Sequence, residues 1–169
     1  MKAAKKAIRS VAPQPEGYHA ITPFLTVRAA DRAIDFYRRA FGAEELGRMT
    51  GHDGKTVMHA ELKIGDSRLF LCDEIPEMGM RSPEGLGGAS AGIYLYVANV
   101  DETFRKAVSA GATVKRPVTD MFWGDRCGTV LDPFGYSWDI ATHTEDVPPE
   151  EMKRRQKEFL KEMVKGKSG

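Results

Sequence analysis

His59 and Glu61 stand two positions apart in residues 55–64, a run whose pattern predicts a β-strand. A period of two puts both side chains on one side of the sheet. They form either a polar pair inside a pocket, with His59 as acid–base group or hydrogen-bond donor, or a solvent-facing pair opposite buried Met58, Ala60 and Leu62. Residues 121–126 (MFWGDR) are the most informative loop, because two aromatic rings precede Gly, Asp and Arg. Phe122 and Trp123 would cap a pocket, with Arg126 holding an anionic group of a ligand. The structural alternative pairs Arg126 with Asp125 or Asp132 to fix the turn. Tyr94 and Tyr96 alternate with Leu95 and Val97, so one strand face carries two phenols. His19 precedes the first strand and His143 follows the last, whereas His52 sits in a turn and reads as exposed. Cys72 and Cys127 lack zinc-ligand spacing and read as small hydrophobes. No Ser-His-Asp order, P-loop or glycine-rich dinucleotide motif is present.

The elements that must position these residues follow from periodicity. Ala30, Ala33, Ile34, Tyr37 and Phe41 make the buried stripe of a helix over residues 30–41, and Gly42 stops it. A β-rich run at 21–27 precedes it, and strands at 45–49, 55–64 and 67–73 follow, turned by Asp53-Gly54 and Gly65-Asp66. Residues 76–90, rich in Gly and Pro, read as a linker loop. The pattern then repeats: a strand at 93–97, a helix at 100–110 stopped by Gly111, and strands at 113–118, near 128–131 and at 136–142. Gly42-Ala43 recurs as Gly111-Ala112 and Val27 as Val97, a repeat of about 70 residues. That is too long for a solenoid unit and implies a duplicated βαβββ module, two of which pair into one curved sheet around a cleft. The division is a flexible basic arm at 1–17, modules at 18–75 and 91–146 joined by the linker 76–90, and a C-terminal helix and tail at 147–169. Met152, Phe159, Leu160, Met163 and Val164 give that helix an apolar face, to be packed on its own domain or on a second subunit.

Composition narrows the function classes. The 169 residues carry 25 Lys and Arg against 24 Asp and Glu, a net charge of +1, which offers no electrostatic case for nucleic acid. No apolar run approaches the roughly 20 residues of a membrane span. The basic start lacks the apolar core of a signal peptide, and two cysteines make no disulfide framework. A soluble, cytoplasmic protein is expected.

Residues 33–45 (AIDFYRRAFGAEE), 59–74 (HAELKIGDSRLFLCDE) and 124–143 (GDRCGTVLDPFGYSWDIATH), set in duplicated βαβββ modules, resemble the vicinal oxygen chelate superfamily. Its glyoxalase/bleomycin-resistance-like, PhnB-like branch is the nearest match. The resemblance covers roughly residues 18–155 and implies an α+β fold in which paired βαβββ modules form a half-barrel around a pocket, usually in a homodimer. Metal-using members place a His, Gln or Glu ligand on the first and last strand of each module. Those positions fall here at Thr22, Phe70, Gly92 and Asp139, and only Asp139 carries a carboxylate. No cofactor is therefore expected, a divalent metal being the remote exception through a rescue set of His19, His59 and Asp139. The resemblance turns Gly92, Tyr94 and Tyr96 toward the pocket, with Thr22, Phe24 and Thr26 on the equivalent face of the first strand. The ligand-binding set is then Phe24, Tyr94, Tyr96, Phe122, Trp123 and Arg126, suited to a flat organic molecule. A binding or sequestering protein is the first reading. An enzyme of the superfamily (lyase, isomerase or dioxygenase) using His59, Glu61 or Asp139 is the alternative.

Overall fold

A computed structural model describes residues 11–165, with side chains through Met163; residues 1–10 of the basic arm, the Val164 and Lys165 side chains and the last four residues lie outside the described residues. The first module runs β1 (Phe24–Val27), α1 (Ala30–Phe41), β2 (Glu44–Thr50), β3 (Val57–Ile64) and β4 (Ser67–Asp73). The second runs β5 (Gly92–Tyr96), α3 (Val100–Ala110), β6 (Thr113–Asp120), β7 (Asp125–Leu131) and β8 (Ser137–His143). Between them the linker forms a 3-10 turn at Pro76–Met78 and a short helix, α2 (Pro83–Leu86); α4 (Pro149–Lys165) ends the chain.

Each module makes its own four-stranded sheet, β1-β4-β3-β2 and β5-β8-β7-β6, and no strand of one pairs with the other among the described residues. The expected single curved sheet is thus two sheets. The outer strand of each module joins the last strand in parallel, which requires the crossover that α1 and α3 supply. The apolar stripe of α1 buries Ala30, Ala33, Ile34, Phe36 and Tyr37. Its first backbone N–H groups need acceptors, and Asp73 provides one, taking bonds from Ala29 N (3.2 Å) and Ala30 N (2.7 Å) while also holding Val57 N (2.7 Å). In α3 that office falls to Asn99, which accepts from Glu102 N at 3.0 Å. Both helices end on a left-handed glycine, Gly42 and Gly111.

One continuous core joins the modules: Leu25, Val27, Leu62 and Leu71 from the first sheet, Val130, Trp138 and Ile140 from the second, with α1 and α3 between. Its polar pin is Asp132, buried at the β7–β8 turn, which accepts from Tyr37 Oη (2.8 Å) and Trp138 Nε1 (2.9 Å). Tyr136 ties the same turn to β1 by donating its hydroxyl to the Thr26 carbonyl at 3.0 Å. The helix faces of both sheets are therefore closed, and the opposite faces are where side chains stay accessible.

Several strand ends shift by one to three residues from the sequence reading; β1 starts at Phe24, so Thr22 precedes it, and two further differences reshape the linker and β7. The linker holds a helix because Ser82 caps it, accepting from Gly85 N at 3.2 Å, with Pro83 at the first helical position. Strand β7 starts at Asp125 rather than near Gly128, so Asp125 and Arg126 are strand residues and the aromatic loop is shorter than expected. Gly128 disguises the strand, but a Cβ there would lie 2.7 Å from Phe104 of α3, so helix and sheet approach only without one. Among the described residues no helix is long and apolar enough to cross a membrane.

Candidate functional site

The strand period sorts the exposed sheet faces. In the second sheet, Tyr94 pairs with Asp139 and Tyr96 with Ala141, while Cys127 pairs with Ala141 and Asp125 with His143, so these residues share one face. Asp125 is the hub of that face. Only 3% exposed, it receives Tyr94 Oη (3.1 Å), Tyr96 Oη (2.9 Å) and Trp123 Nε1 (3.0 Å) on Oδ2. Its Oδ1 lies 2.7 Å from His143 Nδ1, and His143 Nε2 lies 3.0 Å from Asp146. Burial alone would raise the Asp125 pKa, but bonds from His143, Tyr96, Trp123 and Tyr94 together hold it below the usual carboxylate value. The same bond, seconded by Asp146, holds the His143 imidazole above its ordinary value. Burial and then the neighbouring Cys127 push the Tyr94 phenol up.

In the first sheet the matching face is aromatic. Phe24 and His59 meet edge to face at 5.9 Å, His59 and Phe70 at 4.8 Å, and Phe24 and Phe70 at 6.1 Å. Glu61 lies beside this box, 3.1 Å from Arg68, which also stacks over Tyr18 at 5.2 Å. The Tyr18 phenol is raised first by its hydrogen bond to Glu61. His59 and Glu61 are both half-buried on this face, as the period of two requires.

A cavity of about 700 Å³ brings the two modules together. Phe24 and Leu25 of β1, Ile93 and Tyr94 of β5, Tyr136, and Arg81 and Leu86 of the linker line it. A second cavity, of about 730 Å³, takes Tyr94 and Tyr96 together with Phe41 and Trp138. Phe24, Tyr94 and Tyr96 keep 51%, 45% and 60% of their surface exposed, so their rings are available to a ligand. Both volumes fall in the usual range for small-molecule sites, about 300–1,000 Å³.

The remaining sequence candidates are placed elsewhere. Phe122 packs on Phe159 of α4 at 5.1 Å, and Trp123 reaches Tyr94 only through the shared Asp125 carboxylate. Neither ring lines the two cavities. Arg126 departs from both expected structural pairs. As the residue after Asp125 in a strand it projects from the opposite face, where it chelates Asp101 of α3 (2.8 and 2.9 Å) and its cross-strand partner Asp120 (3.0 Å). Two carboxylates already satisfy its guanidinium.

Thr22 precedes β1, and the other three positions where a metal would be held do not fit one. Phe70 is part of the aromatic box, and Gly92 offers no donor. Asp139 Oδ1 accepts from Thr129 Oγ1 (2.5 Å) and Arg116 (3.3 Å). His19 lies 3.7 Å from Asp66, and no three His, Cys, Asp or Glu side chains converge as a metal site among the described residues, so His19, His59 and Asp139 are not gathered. Cys72 and Cys127 are buried and unpaired, and burial pushes the Cys72 thiol up. What the sequence did not single out is the role of Asp125 with His143, and Arg81 in the linker. Once β7 is started at residue 125, the alternation Asp125, Cys127, Thr129 on the same face as Tyr94 and Tyr96 becomes readable.

Residues 17–140 match the family described as the Glyoxalase/Bleomycin resistance protein/Dioxygenase superfamily. An uncharacterised protein of Mycobacterium bovis is 45% identical over 136 residues, covering 79% of this chain and 89% of that one. The crystal structure of TioX from Micromonospora sp. ML1 superposes with a TM-score of 0.58 at 29% identity, over 73% of this chain and 97% of that one. The PhnB protein of Bacillus cereus shares the fold, with a TM-score of 0.56 at 18% identity over 73% and 99% of the two chains.

Proposed function

The chain belongs to the Glyoxalase/Bleomycin resistance protein/Dioxygenase superfamily, and on that premise we propose that it binds a small, flat organic molecule without metal chemistry. One observation carries this reading: Phe24 of the first module and Tyr94 of the second line the same cavity of about 700 Å³. Aromatic walls from two modules would hold a planar ligand between them, while the phenol of Tyr94, held in place by Asp125, gives one polar edge. The metal-free part rests on Phe70 and Gly92 standing at ligand positions, and on Asp139 being engaged by Thr129 and Arg116.

The enzyme reading draws less support. His59 is enclosed by rings, Glu61 is paired with Arg68, and Asp139 lies on the other sheet. A homodimer is part of the proposal, because the exposed faces around Phe24 and Tyr96 and the apolar Leu160 and Met163 of α4 leave surface to cover. Two buried, unpaired cysteines favour the cytoplasm. The test is equilibrium binding of neutral planar compounds, naphthalene- and indole-based, to wild type, Tyr94→Ala and Phe24→Ala. Binding that weakens in both variants supports the reading; binding untouched by either overturns the cavity assignment.

A further inference from the structure

Among the described residues Arg81 is the one cation in the lining of the 700 Å³ cavity, and its surroundings leave it available. Of the acids near it in the chain, exposed Glu77 forms no ion pair with it among the described residues, and the other two are already engaged. Glu74 accepts from Ser82 N (2.7 Å) and Ser82 Oγ (2.5 Å) and also pairs with Arg28 (3.3 Å). Glu84 is held by the same Arg28. Among the described residues Arg81 itself forms no ion pair, and it is exposed.

Its backbone is nevertheless fixed on both sides. Met80 makes a two-way bridge with Ile75, through Ile75 N to Met80 O (2.9 Å) and Met80 N to Ile75 O (3.1 Å). Ser82 is buried on the Glu74 carboxylate and caps α2. Pro83 is packed against the β7–β8 turn so closely that a Cβ on Gly135, where φ is +91°, would lie 2.7 Å from it. A guanidinium that forms no ion pair, mounted on a segment whose backbone is pinned at the edge of an apolar cavity, is open to an anion.

We propose that Arg81 is the anion anchor of this site, so that the ligand is a planar apolar molecule bearing a carboxylate or comparable anionic group. This rests on the cavity reading above and adds the charge. The rings of Phe24 and Tyr94 take the flat body, and the guanidinium, planar with paired donors, takes the two oxygens. The role once open to Arg126 passes to Arg81, because Arg126 is held by Asp101 and Asp120 on the far face of its sheet.

The experiment compares 2-naphthoate with the neutral isostere 2-naphthamide by titration calorimetry against wild type, Arg81→Gln and Tyr94→Ala. Wild type should bind naphthoate about two- to fivefold more tightly than the amide, the range an exposed charge pair supports. Arg81→Gln should erase that preference by weakening naphthoate more than naphthamide, and should melt with wild type; Tyr94→Ala should weaken both compounds. Equal affinities in wild type, or a preference that survives Arg81→Gln, overturns the anchor while leaving the cavity reading in place. No binding of either compound at millimolar concentration overturns the cavity reading and the anchor with it.

Discussion

His143 Nδ1 lies 2.7 Å from Asp125 Oδ1, closing the end of β8 onto the start of β7. The other oxygen of Asp125 is filled by Tyr94, Tyr96 and Trp123, so one carboxylate gathers donors from a loop and two strands. The wall of the cavity at Tyr94 is therefore set by a group that the ligand does not need to touch.

That pair makes stability depend on pH in two directions. His143 is raised by its bonds to Asp125 and then Asp146, so its contribution is complete below the ordinary histidine value of about 6.5 and is lost as pH rises through the raised one. Asp125 is lowered, its hydrogen bonds outweighing burial, so its contribution is complete above the ordinary carboxylate value and is lost as pH falls through the lowered one. Thermal melts across pH should decline on both sides of a slightly acidic optimum. In His143→Gln the alkaline decline should flatten and the acid one persist. An NMR titration placing His143 at or below the ordinary value would contradict this.

Removing the hub should cost more than removing any single donor. Asp125→Ala leaves the Trp123 N–H and two phenols without their acceptor, and is expected to lower stability by about 2–3 kcal/mol, since the phenols can rehydrate. Tyr96→Phe, which deletes one bond at a mostly exposed ring, should cost about 0.5–1.5 kcal/mol. Urea unfolding measures both, and equal losses would show that the Tyr96 bond alone accounts for what Asp125 contributes, contradicting its role as a hub.

The legible part of this fold was periodic. Ala30, Ala33, Ile34 and Tyr37 announce α1 because a helix that packs on a sheet must repeat its apolar residues at that spacing, and all four are buried. What escaped was set by contacts far along the chain. Arg126 has acids beside it at Asp125 and six residues on at Asp132, yet the strand turns it toward Asp101, on a helix that the sequence does not connect to it. Arg81 carries no motif; only the closure of the linker on Glu74 and the β7–β8 turn puts it at a cavity.

Purified protein should carry well under one Zn, Ni, Mn or Fe per chain. Phe70 and Gly92 supply no donor, and the Asp139 carboxylate is already held by Thr129 and Arg116. Elemental analysis decides it: stoichiometric metal that disappears in Asp139→Ala would replace the metal-free reading with the enzymatic one.

Light scattering should return about twice 18.7 kDa. The exposed Phe24 and Tyr96 rings, with Leu160 and Met163 on α4, are apolar surface that a second copy would cover. Leu160→Glu and Phe24→Glu separate α4 from the sheet face as the covered surface. A clean wild-type monomer at micromolar concentration would contradict the dimer.

The two tryptophans report on different cavities. Trp123 is hydrogen-bonded to Asp125, the group that positions Tyr94 at the 700 Å³ cavity. Trp138 lines the 730 Å³ cavity instead, 1% exposed and packed on Phe41 at 4.4 Å. A ligand seated between Phe24 and Tyr94 should change Trp123 emission, and Trp123→Phe should abolish that change while Trp138→Phe preserves it. The reverse pattern would move the ligand to the other cavity. Stability should divide the opposite way. Trp123→Phe loses one hydrogen bond at a partly exposed ring and should cost about 0.5–1.5 kcal/mol. Trp138→Ala removes a ring packed on Phe41 and Tyr37 and a donor to buried Asp132, and should cost about 3–5 kcal/mol. If Trp123→Phe melts as far below wild type as Trp138→Ala, the aromatic loop belongs to the core and its fluorescence cannot be read as a ligand signal.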